Sequence, residues 1–269
     1  MILDELDFAE LYQQQMQRAG RTTKAPEHWD ARAEKMAEVC ANPLDPYLTQ
    51  LKQKMDLTGA QTLFDMGCGP GSVSLSVANE LTQVYGADYS QGMLQVAQRR
   101  AEFMGLSNVH WVNASWEDDW QAIPQCDIAV ASRSTLVADL RAALIKLNNQ
   151  AKLRVYTTHT VSTSFVDVNI QRALGRKVVE LPNYIFAVNI LYQLGIHAHV
   201  DFIRGPNCQN KTETFDAFLA SVSWSLGTLT EEEQQKLQVY YEQKSASGEA
   251  IVPPSRDWAL VWWEKSKTL

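Results

Sequence analysis

Apolar and polar positions along the chain change rhythm twice. Residues 1–57 hold few glycines and are rich in Gln, Ala, Glu and Leu, which predicts helices broken near Gly20 and at Asn42-Pro43. From residue 58 the pattern shortens. Thr62-Leu63-Phe64-Asp65 is an apolar run ending in a glycine turn, Ser72 to Leu81 reads as a helix, and Val84 to Asp88 as a second strand. Ser90 can cap a helix from Gln91 to Met104, in which Met93, Val96, Ala97, Arg100, Ala101 and Met104 follow helical spacing. Val109–Asn113 and Asp127–Ala131 predict further strands, Leu136–Asn148 a helix, and Leu153–Thr158 a fifth strand. Strands alternating with helices at this spacing imply an α/β, Rossmann-like, doubly wound parallel sheet.

After residue 160 the alternation fades. Residues 164–177 and 184–195 predict helices, and His197–Arg204 a sixth strand with Ala198, Val200 and Phe202 on one face. Phe215–Ser225 and Glu231–Ser245 predict two more helices, the second opened by the capping box Thr230/Glu233. Asp257–Glu264 is a last apolar strand. The expected organisation is one domain over 1–269. It has a helical N-terminal segment (1–57), a core (58–160), and two helical insertions (161–196 and 206–250) that would cover a substrate.

Composition narrows the function. With 24 basic and 31 acidic residues the net charge is −7, against the basic footprint of a nucleic-acid binder. Residues 141–177 run the other way, with Arg141, Lys146, Lys152, Arg154, Arg172, Arg176 and Lys177 against Asp167. Cys40, Cys68, Cys126 and Cys208 form no C-x-x-C pair, so neither a zinc site nor thiol-gathering arsenic chemistry is expected. The start Met1-Ile2-Leu3-Asp4-Glu5 lacks the basic region of a signal peptide, and no apolar run suits a membrane span. The expectation is a cytoplasmic protein without membrane or nucleic-acid partners.

The chemistry concentrates in Asp65-Met66-Gly67-Cys68-Gly69-Pro70-Gly71. Glycines after a strand let backbone approach a ligand and adopt positive φ, and the following helix start offers N–H groups to an anion. Asp88, 21 residues after Gly67, ends strand two, where an acid accepts hydrogen bonds from ribose hydroxyls. Any adenosine cofactor fits so far. A dinucleotide fingerprint would be G-x-G-x-x-G, whereas here the glycines alternate, and Asp65 would sit badly beside a pyrophosphate. Acids suit a sulfonium and an ammonium.

Asp65-x-Gly-x-Gly-x-Gly followed by Gly86-Ala87-Asp88-Tyr89-Ser90 resembles the first two motifs of the class I S-adenosylmethionine-dependent methyltransferases, over about residues 28–158. The resemblance implies seven strands with the last antiparallel, and S-adenosylmethionine as cofactor. It implies Gly67, Cys68 and Gly69 against the methionine part, with Asp65 and Gly71 also among the cofactor-binding residues. Asp88 would hold the ribose, Tyr89 and Met93 would flank adenine, and Ser115 and Trp116 would follow strand three against it. Trp116 has helix packing as its alternative. His28-Trp29-Asp30-x-Arg32-Ala33 is similar to the start of small-molecule methyltransferases, which would bring Trp29 near the sulfonium or anchor its helix to the core.

At strand four's end, Ala131-Ser132-Arg133-Ser134-Thr135 is neither the Asn-Pro-Pro-Tyr of exocyclic-amine methylation nor a Pro-Cys nucleophile. Ser132 is expected near the cofactor. Arg133 would bind a substrate acid or pair with Glu117 or Asp118. His159, after strand five, is the general-base candidate, with a solvent-facing loop histidine as its alternative. His197 and His199 share a face without a third ligand, so no metal is expected. The expected function is methyl transfer to a small, acidic or polar metabolite in a lidded pocket. The rivals are a dinucleotide-dependent oxidoreductase, a silent cofactor-binding module, and an RNA or protein methyltransferase.

Overall fold

The short apolar runs become strands β1 (Thr62–Met66), β2 (Gln83–Asp88), β3 (Val109–Asn113), β4 (Cys126–Ala131), β5 (Ala151–Thr160), β6 (His199–Ile203) and β7 (Trp258–Glu264). In the computed structural model, which describes residues 2–40, 45–178, 180–205, 214–248 and 257–265, they form one sheet in the order β3-β2-β1-β4-β5-β7-β6. β1 to β5 pair in parallel, and β7 is antiparallel to both of its neighbours, β5 and β6. The sheet is thus Rossmann-like with an antiparallel last strand inserted beside β5. Because β6 again runs with β1, the chain leaves β5 and β6, and enters β7, at the rim where the glycine turn lies.

Helices cover both faces. Before the sheet come α1 (Phe8–Arg18), α2 (Pro26–Asp30), α3 (Ala33–Cys40) and α4 (Pro46–Lys54); within it come α5 (Ser72–Val77), α6 (Gln91–Phe103) and α7 (Leu140–Gln150). Ser90 caps α6, its Oγ accepting from Met93 N–H at 3.1 Å. α5 is shorter than the pattern suggests and finishes in a tighter turn over Ala78–Glu80. α7 starts four residues after Leu136, because Asp139 accepts from Ala142 N–H at 2.9 Å and fixes the first turn there. One face buries Phe64, Met66, Ala129 and Val155 under α1 and α7, and Tyr12 donates from that layer to Val137 C=O at 2.8 Å. The other buries Leu63, Val84, Val130 and Tyr156 under α4 and α5.

The remaining helices are α8 (Val168–Ala173), α9 (Tyr184–Gln193), α10 (Phe215–Leu226) and α11 (Glu231–Ala246). α9 was expected in a substrate cover, yet Ala187, Ile190 and Leu191 are buried in the core with Val155, Val261 and Trp263. These positions follow the i, i+3, i+4 stripe of a helix laid on a sheet. α8, α10 and α11 instead share a small core of their own, with Ile170, Leu174, Phe218, Val222 and Leu237 buried. The Thr230/Glu233 capping box opens α11 as the sequence suggests. Residues 206–213 and 249–250 of the second expected insertion, Cys208, and Asn42-Pro43 lie outside the described residues.

Candidate functional site

The glycine turn is shaped by what surrounds it. Gly67, Gly69 and Gly71 all have positive φ (69°, 53° and 78°), where a side chain is strained. At Gly67 a Cβ would overlap Ser134 Cβ, so the loop after β4 sits directly on the turn. Ser134 Oγ holds that contact by donating to Met66 C=O at 2.8 Å. At Gly71 and Gly86 a Cβ would fall 2.7 and 2.5 Å from the Trp111 ring, which fills the space under the turn between β2 and α6. The turn is tied to β2 by Gly67 N–H and Cys68 N–H, which donate to Ala87 C=O at 2.8 and 3.0 Å.

Two carboxylates converge here. Asp65 is 1% exposed; its Oδ2 accepts from Ser74 Oγ at 2.7 Å and from Ser74 N–H at 3.3 Å, in the first turn of α5. Its Oδ1 is buried with no hydrogen-bond partner. Burial pushes the carboxyl up to about 7, against the Ser74 hydrogen bonds. Asp88, 6% exposed, accepts from Gly69 N–H (2.9 Å) and Ser90 N–H (2.9 Å), and burial raises it too. A buried acidic pair with one orphaned oxygen favours a cationic ligand. The ammonium and sulfonium of S-adenosylmethionine meet that demand, and a pyrophosphate does not. Cys68 is buried, and burial pushes its thiol well up, so it is inert.

The His-Trp-Asp segment closes this end. Asp30 Oδ1 accepts from Ser90 Oγ (2.6 Å) and Gly92 N–H (2.8 Å), and Gly92 leaves no room for a Cβ against Asp30. Trp29 hydrogen-bonds Tyr89, whose hydroxyl donates to Lys24 C=O at 2.9 Å, and it packs on buried Met93 and Val96. Trp29 therefore lies on α6 and the ribose-side loop, which is the anchoring arrangement. Ser115 closes a turn, its N–H donating to Asp118 Oδ2 at 2.7 Å. Trp116 packs on Trp120 at 5.6 Å against the core, the packing alternative raised for it.

Across the rim, hydroxyl groups dominate. Tyr47, buried at the start of α4, bonds Ser132 Oγ (2.8 Å) and Thr158 Oγ1 (2.9 Å). Arg133 has φ 58°, the one non-glycine residue with positive φ among those described, and its N–H donates to Thr158 Oγ1 at 2.8 Å. A left-handed non-glycine residue costs about 1 kcal/mol or more and marks functional loops. Its guanidinium lies 4.2 Å over the Tyr47 ring rather than on Glu117 or Asp118. Asp118 is turned toward Ser115. His159 is not in a loop, because β5 runs on to Thr160. It is 5% exposed, with Nδ1 3.1 Å from Thr135 Oγ1 and Nε2 2.9 Å from Thr157 Oγ1, and burial lowers it to about 3. The ring is neutral at neutral pH, and both nitrogens already have partners. Arg176 does not face a ligand either: it grips Glu233 through Nε (2.5 Å) and Nη2 (2.9 Å). His199 stacks on Trp262 at 4.2 Å.

Sequence reasoning missed Ser74, Ser134, Tyr47, Trp111 and the acid of the His-Trp-Asp segment. Only Ser74 lies near its partner in sequence, nine residues after Asp65.

Known proteins place this geometry. Residues 63–152 match the methyltransferase domain family. An uncharacterized protein of Haemophilus influenzae is 38% identical over 98% of this chain and 98% of its own length. An uncharacterized RNA methyltransferase of Streptococcus mutans is 29% identical over 58% of this chain, which spans only 34% of that protein. Among solved structures, phosphoethanolamine N-methyltransferase 2 of Haemonchus contortus, in complex with phosphomonomethylethanolamine and S-adenosylhomocysteine, is 18% identical. It has a TM-score of 0.52 and covers 82% of this chain and 52% of its own. Residues 63–152 are thus a methyltransferase domain, carried on the class I fold, and S-adenosylmethionine is its cofactor.

Proposed function

We propose that the methyl acceptor is a small molecule and not a nucleic acid. The observation that carries this is the fate of the basic run in residues 141–177. Lys146 donates to Trp116 and Asp118 carbonyls (both 2.5 Å), Arg154 pairs with Asp56 (3.0 Å) and Glu264 (3.4 Å), and Arg176 with Glu233 (2.5 Å). Arg154 also lies near the amino end of β5, away from the glycine turn. Three of the run's seven bases are thus tied up within the chain, and a chain of net charge −7 has little long-range attraction for a polyanion. The small core shared by α8, α10 and α11, on segments that leave the rim, suits a cover over a small ligand.

In this reading Gly67, Cys68, Gly69 and Gly71 surround the methionine part, with Asp65 facing its ammonium. Asp88 holds the ribose hydroxyls, Tyr89, Met93 and Ser115 border adenine, and Ser132 lies toward the methyl group. Trp29 and Trp116 act by holding these loops. The cofactor supplies an already activated methyl group, so the protein's task is to align a nucleophile and exclude water. No proton transfer is assigned to His159, whose lone pair is enclosed by Thr135 and Thr157.

The RNA methyltransferase relatives make the rival reading concrete. Incubating the protein with radiolabelled S-adenosylmethionine and a cell extract, with and without ribonuclease, separates the two. Label in the small-molecule fraction, insensitive to ribonuclease, is the expected result; label confined to RNA overturns the reading.

A further inference from the structure

Arg133 combines three features that none of its neighbours shares. Its backbone is held in the left-handed region, φ 58°, between Ser132, which bonds Tyr47, and Ser134, which rests on Gly67. Its guanidinium lies 4.2 Å over the centre of a ring that cannot turn away, because Tyr47 is buried, with its hydroxyl bonded to Ser132 and Thr158. The same ring is met edge-on by Trp258 at 6.1 Å. A ring face attracts the cation without engaging the in-plane fork of N–H donors, which stays available for an acceptor. Among the described residues that edge has no carboxylate partner, although Arg154, Arg176 and Arg204 each have one. An exposed arginine that only needed solvent would have no cause to hold a strained backbone.

We infer that Arg133, stacked on Tyr47, is a receptor for an oxyanion — a carboxylate or phosphate on the methyl acceptor — bound one residue from the loop that touches the cofactor turn. The inference rests on the small-molecule reading above. It narrows the acceptor to an anionic metabolite whose charged group anchors it while the nucleophile turns toward the methyl. A planar guanidinium fits either anion in a two-point contact.

The test uses the whole protein saturated with S-adenosylhomocysteine, titrated calorimetrically with inorganic phosphate and, separately, with succinate. Arg133→Gly is the informative variant, since glycine accepts φ 58° without strain, which offsets its greater freedom in the unfolded chain and should keep the fold. We expect at least one probe to bind the wild type and to weaken roughly tenfold or more in Arg133→Gly, with S-adenosylhomocysteine affinity unchanged; the tighter probe identifies the anion. Arg133→Lys should bind at intermediate strength, because a point charge loses the two-point contact. Equal binding by wild type and Arg133→Gly, or no binding of either probe to the wild type, overturns the inference. Failure of the parent reading looks different: phosphate binding lost in Arg133→Gly, together with RNA as the labelled acceptor, would leave the anion site standing and remove the small metabolite.

Discussion

The two ends of the rim are made by different means. On the cofactor side, the ties within the turn are short-range and donated by backbone N–H groups, Ser74 to Asp65 across nine residues and Gly69 to Asp88 across nineteen, with Ser134 and Asp30 reaching in from farther along the chain. Added atoms have nowhere to go at Gly67, Gly71 or Gly86. On the acceptor side, side-chain hydroxyls meet from afar: Tyr47 reaches Ser132 across 85 residues and Thr158 across 111. The first end is a rigid socket for a cationic ligand. The second is a surface whose chemistry changes with each side chain. Binding of the cofactor and choice of the acceptor are therefore separable, which makes the comparison testable.

The largest effect belongs to Gly67→Ala. A left-handed alanine costs about 1–2 kcal/mol, and the overlap with Ser134 adds an overpacking cost of typically about 1–3 kcal/mol. Gly69→Ala, which has the same kind of φ but nothing within 4 Å of a Cβ, should bear only the first cost. Urea denaturation of both variants checks this, and equal losses would mean that the Ser134 contact is not what shapes the turn.

Asp88→Ala comes next. Lost charge-assisted hydrogen bonds to the ribose should weaken S-adenosylhomocysteine by about 1.5–3 kcal/mol, and Gly69 and Ser90 N–H lose an acceptor. Thr158→Val, its counterpart on the acceptor side, should leave calorimetric cofactor affinity nearly unchanged; a comparable loss there would dissolve the separation.

A third prediction follows from Asp65, raised by burial to about 7 from a reference near 3.8. The folded, ligand-free protein holds this proton more tightly than the unfolded chain, so the associated stability is full below pH 4 and lost as pH rises through 7. A cofactor ammonium needs the ionised form. Binding should therefore release a proton and, below pH 7, weaken by up to about tenfold for each unit that the pH falls. Calorimetry in buffers of different ionisation enthalpy measures the release, and Asp65→Asn should abolish it.

Smallest is Thr230→Ala. Removing this cap should cost about 1 kcal/mol. Because α8, α10 and α11 share a core apart from the sheet, the added hydrogen exchange should stay within them and spare β1 to β5.

What could be read from the sequence divides along the same line. The strands, the Ser90 and Thr230 caps and the acid–glycine turn were legible because each depends on residues a few positions apart. Arg133 on Tyr47, the enclosure of His159 by Thr135 and Thr157, and the pairing of Arg176 with Glu233 were not, since each partner comes from a distant segment. α9 shows a middle case: its apolar stripe at Ala187, Ile190 and Leu191 was visible, but which surface it would cover depended on where β7 lies.

The position of β7 has a consequence for the order of assembly. β5, ten residues long, has β4 on one side only until Trp258–Glu264 is made, and β6 has no described strand partner before then. During synthesis most of the sheet can form while this long edge remains open, a template for pairing with another chain. Closing it brings together segments about a hundred residues apart, such as Tyr156 and Trp262, a slow event by loop-closure entropy. Aggregation during expression should thus compete with one late step, the insertion of a strand between two waiting neighbours, rather than with collapse of the half that carries the glycine turn.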